Sequence, residues 1–160
     1  MTLLTGTAAI AAAFAVLGVE LGTQIDRLSV IVAIDRSRSI DLVPSAEARI
    51  AQELQVAEQG MRDGDRIGTL AFAADAMVED PLRERRHPPA PQRAELARDG
   101  SDLGSAIRRG LSEVPPDSAA RIVLLSDGVS TRGDALGGAA LAAAAGVRID
   151  VIPLDQRKLK

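Results

Sequence analysis

The chain has no cysteine, no tryptophan and no tyrosine among its 160 residues. The missing cysteines exclude a disulfide framework, a thiolate metal site and a cysteine nucleophile. Phe14 and Phe72 are the two aromatic residues. Stacking platforms for single-stranded nucleic acid are therefore lacking. The net charge is −3, with acids and bases interleaved, so no basic field points to nucleic acid. His87 is the one histidine, within the exposed-looking run Arg83 to Pro89. A Ser-His-Asp triad would depend on it, and nothing places it beside a serine.

What is present suits one globular domain. The length fits a single folding unit, and 46% apolar with 26% charged residues is ordinary for a globular chain. The N-terminus differs. Residues 3–19 carry no charge and are rich in alanine, with Ile10, Phe14, Val16 and Leu17 as bulky members. A spanning helix needs about 17–25 apolar residues, and the run lacks the basic start of a signal peptide. Residues 1–24 are expected to form an apolar helix that either anchors the chain in a membrane or packs on the domain. Arg27 is the first basic residue, which favours a cytoplasmic domain behind such an anchor. The expected location is membrane-associated or cytoplasmic. Residues 27–155 form the expected domain, and 156–160 a basic tail.

Strands and helices alternate along that domain. Residues 28–34 are apolar throughout, like a parallel strand buried on both faces. A helix follows Pro44-Ser45, with Ser45 or Asp41 as candidate caps and Ile50, Leu54, Ala57 and Met61 at helical spacing. Ile67 to Ala73 reads as a strand, and Ala76 to Val78 as a short one after a turn at Ala74-Asp75. Pro81 to Arg98 reads as a connection with a short helix near Gln92 to Leu96. Asp102 to Leu111 reads as a helix, Arg121 to Leu125 as a strand, Asp134 to Ala145 as a helix stopped by Gly146, and Val147 to Pro153 as the last strand. This alternation predicts an α/β fold with a doubly wound, mostly parallel, Rossmann-like sheet flanked by helices. Ligands in such sheets bind beyond the carboxyl ends of the strands, where the winding reverses.

Three oxygen-rich loops fall at such places. Asp35-Arg36-Ser37-Arg38-Ser39 follows the first strand, Gly100-Ser101-Asp102-Leu103-Gly104 opens a helix, and Ser126-Asp127-Gly128 follows the strand at 121–125. A D-x-S-x-S string alone arises by chance in about 4% of chains this long, and Asp and Ser also serve as turn and cap residues. With Ser101 and Asp127 in matching contexts, the pattern points to a hard divalent cation. Mg²⁺ takes octahedral oxygen donors and usually keeps waters or a ligand oxygen. Alternation in an extended loop turns Asp35, Ser37 and Ser39 the same way. Two hydroxyls leave the ion's charge largely uncompensated, so an open position attracts a partner's carboxylate.

These residues make the chain resemble a von Willebrand factor A (VWA) domain with a metal-ion-dependent adhesion site (MIDAS), similar to those of bacterial membrane-associated proteins. The family pattern is D-x-S-x-S, then a threonine in a Gly-Thr-Asp-Leu-like stretch, then Asp-Gly after an apolar strand. The resemblance covers about residues 27 to 153. It implies Asp35, Ser37, Ser39, Ser101 and Asp127 as metal residues, Mg²⁺ as the ion with Mn²⁺ or Ca²⁺ as alternatives, and a protein partner offering an Asp or Glu carboxylate. It implies a binding module and no enzyme. Serine replaces threonine at Ser101, losing the methyl that fixes the rotamer. Arg36 and Arg38 flank the motif and are expected to point away from the metal, toward an acidic partner. The family's last helix and strand have no counterpart before Lys160, and the apolar N-terminus is a candidate to fill that gap.

Other readings compete. A haloacid-dehalogenase-type phosphohydrolase also starts from an Asp after its first strand, but needs a second Asp where Ser37 stands. A metal-free VWA scaffold is the other alternative. Arg83, Arg85 and Arg86 read as a solvated loop or a contact for acidic groups. Arg132-Gly133-Asp134 spells an integrin-ligand tripeptide, but Asp134 is better explained as a helix cap.

Overall fold

The computed structural model describes residues 27–84 and 95–154. The expectations for residues 1–24, for Arg85, Arg86 and His87, and for the 156–160 tail lie outside these residues. The elements are β1 (Leu28–Asp35), a 3-10 turn (Arg38–Leu42), α1 (Ala46–Gln59), β2 (Arg66–Phe72), β3 (Ala76–Arg83), α2 (Leu103–Ser112), β4 (Ala119–Ser126), α3 (Ala135–Ala144) and β5 (Arg148–Pro153). The strands form one sheet in the order β3-β2-β1-β4-β5. Only the β2–β3 pair is antiparallel. This is the doubly wound, mostly parallel sheet that the alternation predicts.

Burial explains the strand sequences. β1 lies between β2 and β4, and Ile31, Val32, Ala33 and Ile34 are all buried. One face joins Ile31, Ala33, Ile122 and Leu124 to Ala106 and Ile107 of α2 and Ala142 of α3. The other joins Val32, Ile34 and Leu125 to Ile40, Ile50 and Leu54. A strand covered on both faces cannot alternate with polar residues. α2 and α3 meet closely at their N-terminal ends, where Gly104 faces the Asp134 backbone and Gly138 faces Gly104. A side chain at Gly104 would strike the Asp134 backbone and push the helices apart.

Two local readings need correction. β3 does not end at Val78; it continues to Arg83 and includes Pro81. β3 ends the strand order, and its pairing with β2 shifts register between Ile67 and Thr69 and again between Thr69 and Leu70. Edge position and irregular register are where a strand tolerates proline. Glu95 and Leu96 are not helical. The helix caps also sort out. Ser45 holds the N-cap position of α1 with φ 60° and makes no side-chain cap bond, while Asp102 and Asp134 cap α2 and α3 by accepting the amides of Ser105 and Gly137. The carboxylate of the Arg-Gly-Asp string is thus committed to its helix. Among the described residues, no helix is long and apolar enough to cross a membrane.

Ile50 is fully buried between α1 and the sheet. Ile50→Ala is expected to cost about 2–5 kcal/mol, read as a lower urea midpoint with an unchanged slope. A loss below about 1 kcal/mol would mean that α1 is not seated on this face.

Candidate functional site

β1 and β4 are parallel neighbours, with Ile34 opposite Leu125. That register sets the next residues, Asp35 and Ser126, side by side at the carboxyl end of the sheet. The crossing from β1 to β2 goes to one side and β4 lies on the other, so this is where the winding reverses.

Asp35 is fully buried. Its Oδ1 accepts the Ser37 amide at 2.9 Å. Its Oδ2 accepts the Ser126 hydroxyl at 2.7 Å and the Ser101 hydroxyl at 3.3 Å. Ser37 and Ser39 share a hydrogen bond of 3.0 Å between their hydroxyls. Four of the five expected site residues, Asp35, Ser37, Ser39 and Ser101, are thereby linked. Asp127 is the exception: it follows β4 as expected, but its Oδ1 accepts the amide of Val129 at 2.9 Å in its own loop. Ser101 is held through its backbone by the third loop. Its amide donates to the Thr131 hydroxyl at 2.9 Å, and its carbonyl accepts the amides of Thr131 and Arg132 at 2.9 and 3.1 Å.

Arg36 departs from its expected role. It is buried, and its guanidinium is engaged by acids of this chain. Its guanidinium donates to both carboxylate oxygens of Glu47 at 2.9 and 3.1 Å, and its Nε lies 3.6 Å from Glu79, whose side chain is almost fully buried. Arg36 therefore ties β1 to α1 and β3. Arg38 is exposed as expected. Arg83 pairs with Asp80 at 3.4 Å along β3.

Two contributors were not anticipated. Ser126 bonds Asp35 more closely than any other side chain; the signal was a hydroxyl at the end of an apolar strand. Arg98 reaches from the second loop to the first, donating through Nε to the Arg36 carbonyl at 2.5 Å and through a terminal nitrogen to Asp41 at 2.6 Å. Nothing in its local sequence marks that reach.

The donors suit an oxygen-seeking ion. Among the described residues, no group of three or more His, Cys, Asp or Glu side chains is arranged to hold a metal. A soft-metal site or an all-carboxylate cage is thus not what these residues build. They assemble a buried carboxylate among hydroxyls. Neutral hydrogen bonds satisfy Asp35, yet among the described residues no arginine or lysine pairs with it. A buried charge is normally paired or bound to a metal, so the residues present fit a cation.

No protein-family model matches the sequence, and no curated protein does either. Solved structures do match. One is an aerotolerance-related membrane protein from Bacteroides fragilis, 24% identical, TM-score 0.62, covering 79% of this chain and 67% of that one. A second is proximal thread matrix protein 1 from the mussel byssus, with a zinc-occupied MIDAS motif, 16% identical, TM-score 0.60, covering 79% and 35%. A third is the ArnB paralog VWA2 from Sulfolobus acidocaldarius, 20% identical, TM-score 0.51, covering 79% and 34%. This chain thus spans about two thirds of the first and about a third of the others. At these identities the likeness establishes the fold alone, and that fold is the α/β fold of von Willebrand factor A proteins.

Proposed function

We propose that this protein is a divalent-cation-dependent binding module that captures a carboxylate of a protein partner. The observation that carries the reading is Asp35, a buried carboxylate surrounded by hydroxyls and lacking a basic partner among the described residues. Asp35, Ser37, Ser39, Ser101 and Asp127 would hold the ion, Asp127 directly or through water. All five offer oxygen, the donor of hard ions, so Mg²⁺ is the proposed ion, with Mn²⁺ and Ca²⁺ as alternatives. The ion would supply an electrophilic position; the protein's part is to hold the oxygens, with Asp35, Ser37 and Ser101 buried. The zinc-occupied MIDAS named for the mussel protein supports divalent binding in this fold.

The surroundings suit protein docking. Leu42 is 79% exposed and Leu136 85% exposed, with Val129 also in the open. All three lie on segments that leave or approach the carboxyl end of the sheet. Residues 3–19 would be the point of membrane association, in keeping with the membrane protein among the similar structures. No proton-transfer or nucleophilic role is assigned to any residue, and the proposed activity is binding.

Chelator-stripped protein titrated calorimetrically with Mg²⁺ and Mn²⁺ is expected to show saturable one-to-one binding, abolished in Asp127→Ala. No heat in the unmodified protein up to millimolar ion would sink the reading and leave a metal-free scaffold.

Asp35→Asn separates a functional carboxylate from a structural one. The amide keeps one acceptor and removes the buried charge. In chelator, its melting temperature is expected to equal or exceed that of the parent chain, while cation binding is lost. A melting temperature lower by more than about 5 °C, roughly 1 kcal/mol or more for a domain of this size, would assign Asp35 to structure instead.

A further inference from the structure

The D-x-S-x-S loop is not shaped by its own residues alone. Arg98, in the segment before the second loop, grips two successive peptide planes of the D-x-S-x-S loop. In a trans peptide the carbonyl and the amide lie in one rigid plane and point in opposite directions, so fixing one end fixes the other. In the Arg36–Ser37 plane, the carbonyl accepts from Arg98 Nε at 2.5 Å and the amide donates to Asp35 Oδ1 at 2.9 Å. In the Ser37–Arg38 plane, the carbonyl accepts from an Arg98 terminal nitrogen at 3.3 Å. The amide of that plane donates to the Arg98 carbonyl at 3.1 Å. Arg98 thus contacts both planes with its side chain and one with its backbone.

We infer that Arg98 is a positioning residue that locks these two peptide planes and so presets the oxygens of the proposed cation site. The alternative orientation of the first plane would turn the Arg36 carbonyl toward the Asp35 carboxylate, oxygen against oxygen. The guanidinium opposes that flip by holding the carbonyl outward. Asp41 secures the guanidinium in turn, through a 2.6 Å contact. The backbone on either side of Arg98 is also anchored. The Ala97 carbonyl accepts the Ala74 amide at 3.1 Å, and the Asp102 amide donates to the Ala73 carbonyl at 2.8 Å. The lock therefore stands on a segment tied to the β2–β3 turn and does not drift with the loop it holds.

Lysine is not equivalent at this position. Its ammonium is a point charge on a flexible stem, whereas the guanidinium presents several donors in a fixed plane. One ammonium cannot reproduce the fork that spans the Arg36 carbonyl, the Ser37 carbonyl and Asp41. Partial rescue by lysine is therefore a signature of the geometry. Full rescue would mean that charge alone is needed.

The inference rests on the proposed cation site for its functional meaning, but its structural core is testable without any ion. The full chain is prepared as Arg98→Gln and Arg98→Lys. Amide hydrogen exchange is followed in chelator, and Mg²⁺ and Mn²⁺ titrations are run beside the unmodified protein. Hydrogen bonds from a charged donor are worth enough that losing them should speed exchange at Ser37 and Arg38 by about tenfold or more in Arg98→Gln. The melting temperature should move little, since Arg98 is 42% exposed in its side chain. Arg98→Lys should fall between, and cation affinity should weaken in the same order. Unchanged exchange at Ser37 in both variants overturns the lock. Faster exchange with unchanged affinity, in a chain that binds cation, overturns its positioning role. Faster exchange in a chain whose unmodified form binds no cation upholds the lock and removes the cation reading. If Arg98→Gln does not fold, Arg98→Lys alone decides, by exchange at the same two amides.

Discussion

Everything at the carboxyl end of the sheet is arranged around the cost of burying Asp35. An unpaired carboxylate inside a protein is expensive, and it persists only when hydrogen bonds or an ion compensate it. Three loops supply that compensation. The first contributes the Ser37 amide, the second the Ser101 hydroxyl, and the end of β4 the Ser126 hydroxyl. The parallel register of β1 with β4 makes the last of these unavoidable, because Asp35 and Ser126 follow a matched pair. The same constraint governs the helices. Asp102 must cap α2 for Ser101 to stand at its mouth, and Gly133 is needed because any side chain there would strike the Asp102 carboxylate. Gly133 also has φ 71°, a region that other residues rarely occupy.

How much of this was legible depended on whether the signal was local. β1 could be read directly, since a run such as Val30 to Ile34 has few uses except a strand covered on both faces. Asp134 could be read as a cap because capping is settled within one helical turn. The length of β3 could not be read, because Pro81 is a strand breaker by propensity and is tolerated only through edge position and a shifted register, which are tertiary facts. Arg36 was misjudged for a related reason. Its neighbours in sequence belong to an exposed-looking loop, but its partners Glu47 and Glu79 come from α1 and β3. Asp35, Ser37 and Ser39 could be grouped from their spacing and Ser101 through the family resemblance, whereas Ser126 required the strand register and Arg98 required the path of a connection.

The hydroxyl-rich character of the cluster has an electrostatic consequence. A site built from several carboxylates would neutralise a divalent ion and leave it little attraction for a further anion. Here one carboxylate is central, the remaining close donors are neutral, and Asp127 stands slightly apart in its own loop. A hydroxyl-bound ion keeps much of its charge for an incoming oxygen. The cost falls on affinity for the ion itself, because each hydroxyl must exchange a hydrogen bond it already makes, such as the one between Ser37 and Ser39.

Arginines around the cluster would oppose a cation if they were unpaired, and their pairing decides whether they do. Arg36 is held by Glu47 and Glu79, Arg98 by Asp41, and Arg132 by Asp99. Each of these three positive charges carries its own acid, and a paired dipole decays faster with distance than a lone charge. Arg38 is the remaining arginine of the first loop, exposed and with no ion pair among the described residues. An exposed charge acts through water, which weakens its effect on a nearby ion, and salt screens it further. Its sign would attract an approaching carboxylate, so Arg38 would favour the proposed acidic partner while only slightly penalising the proposed cation.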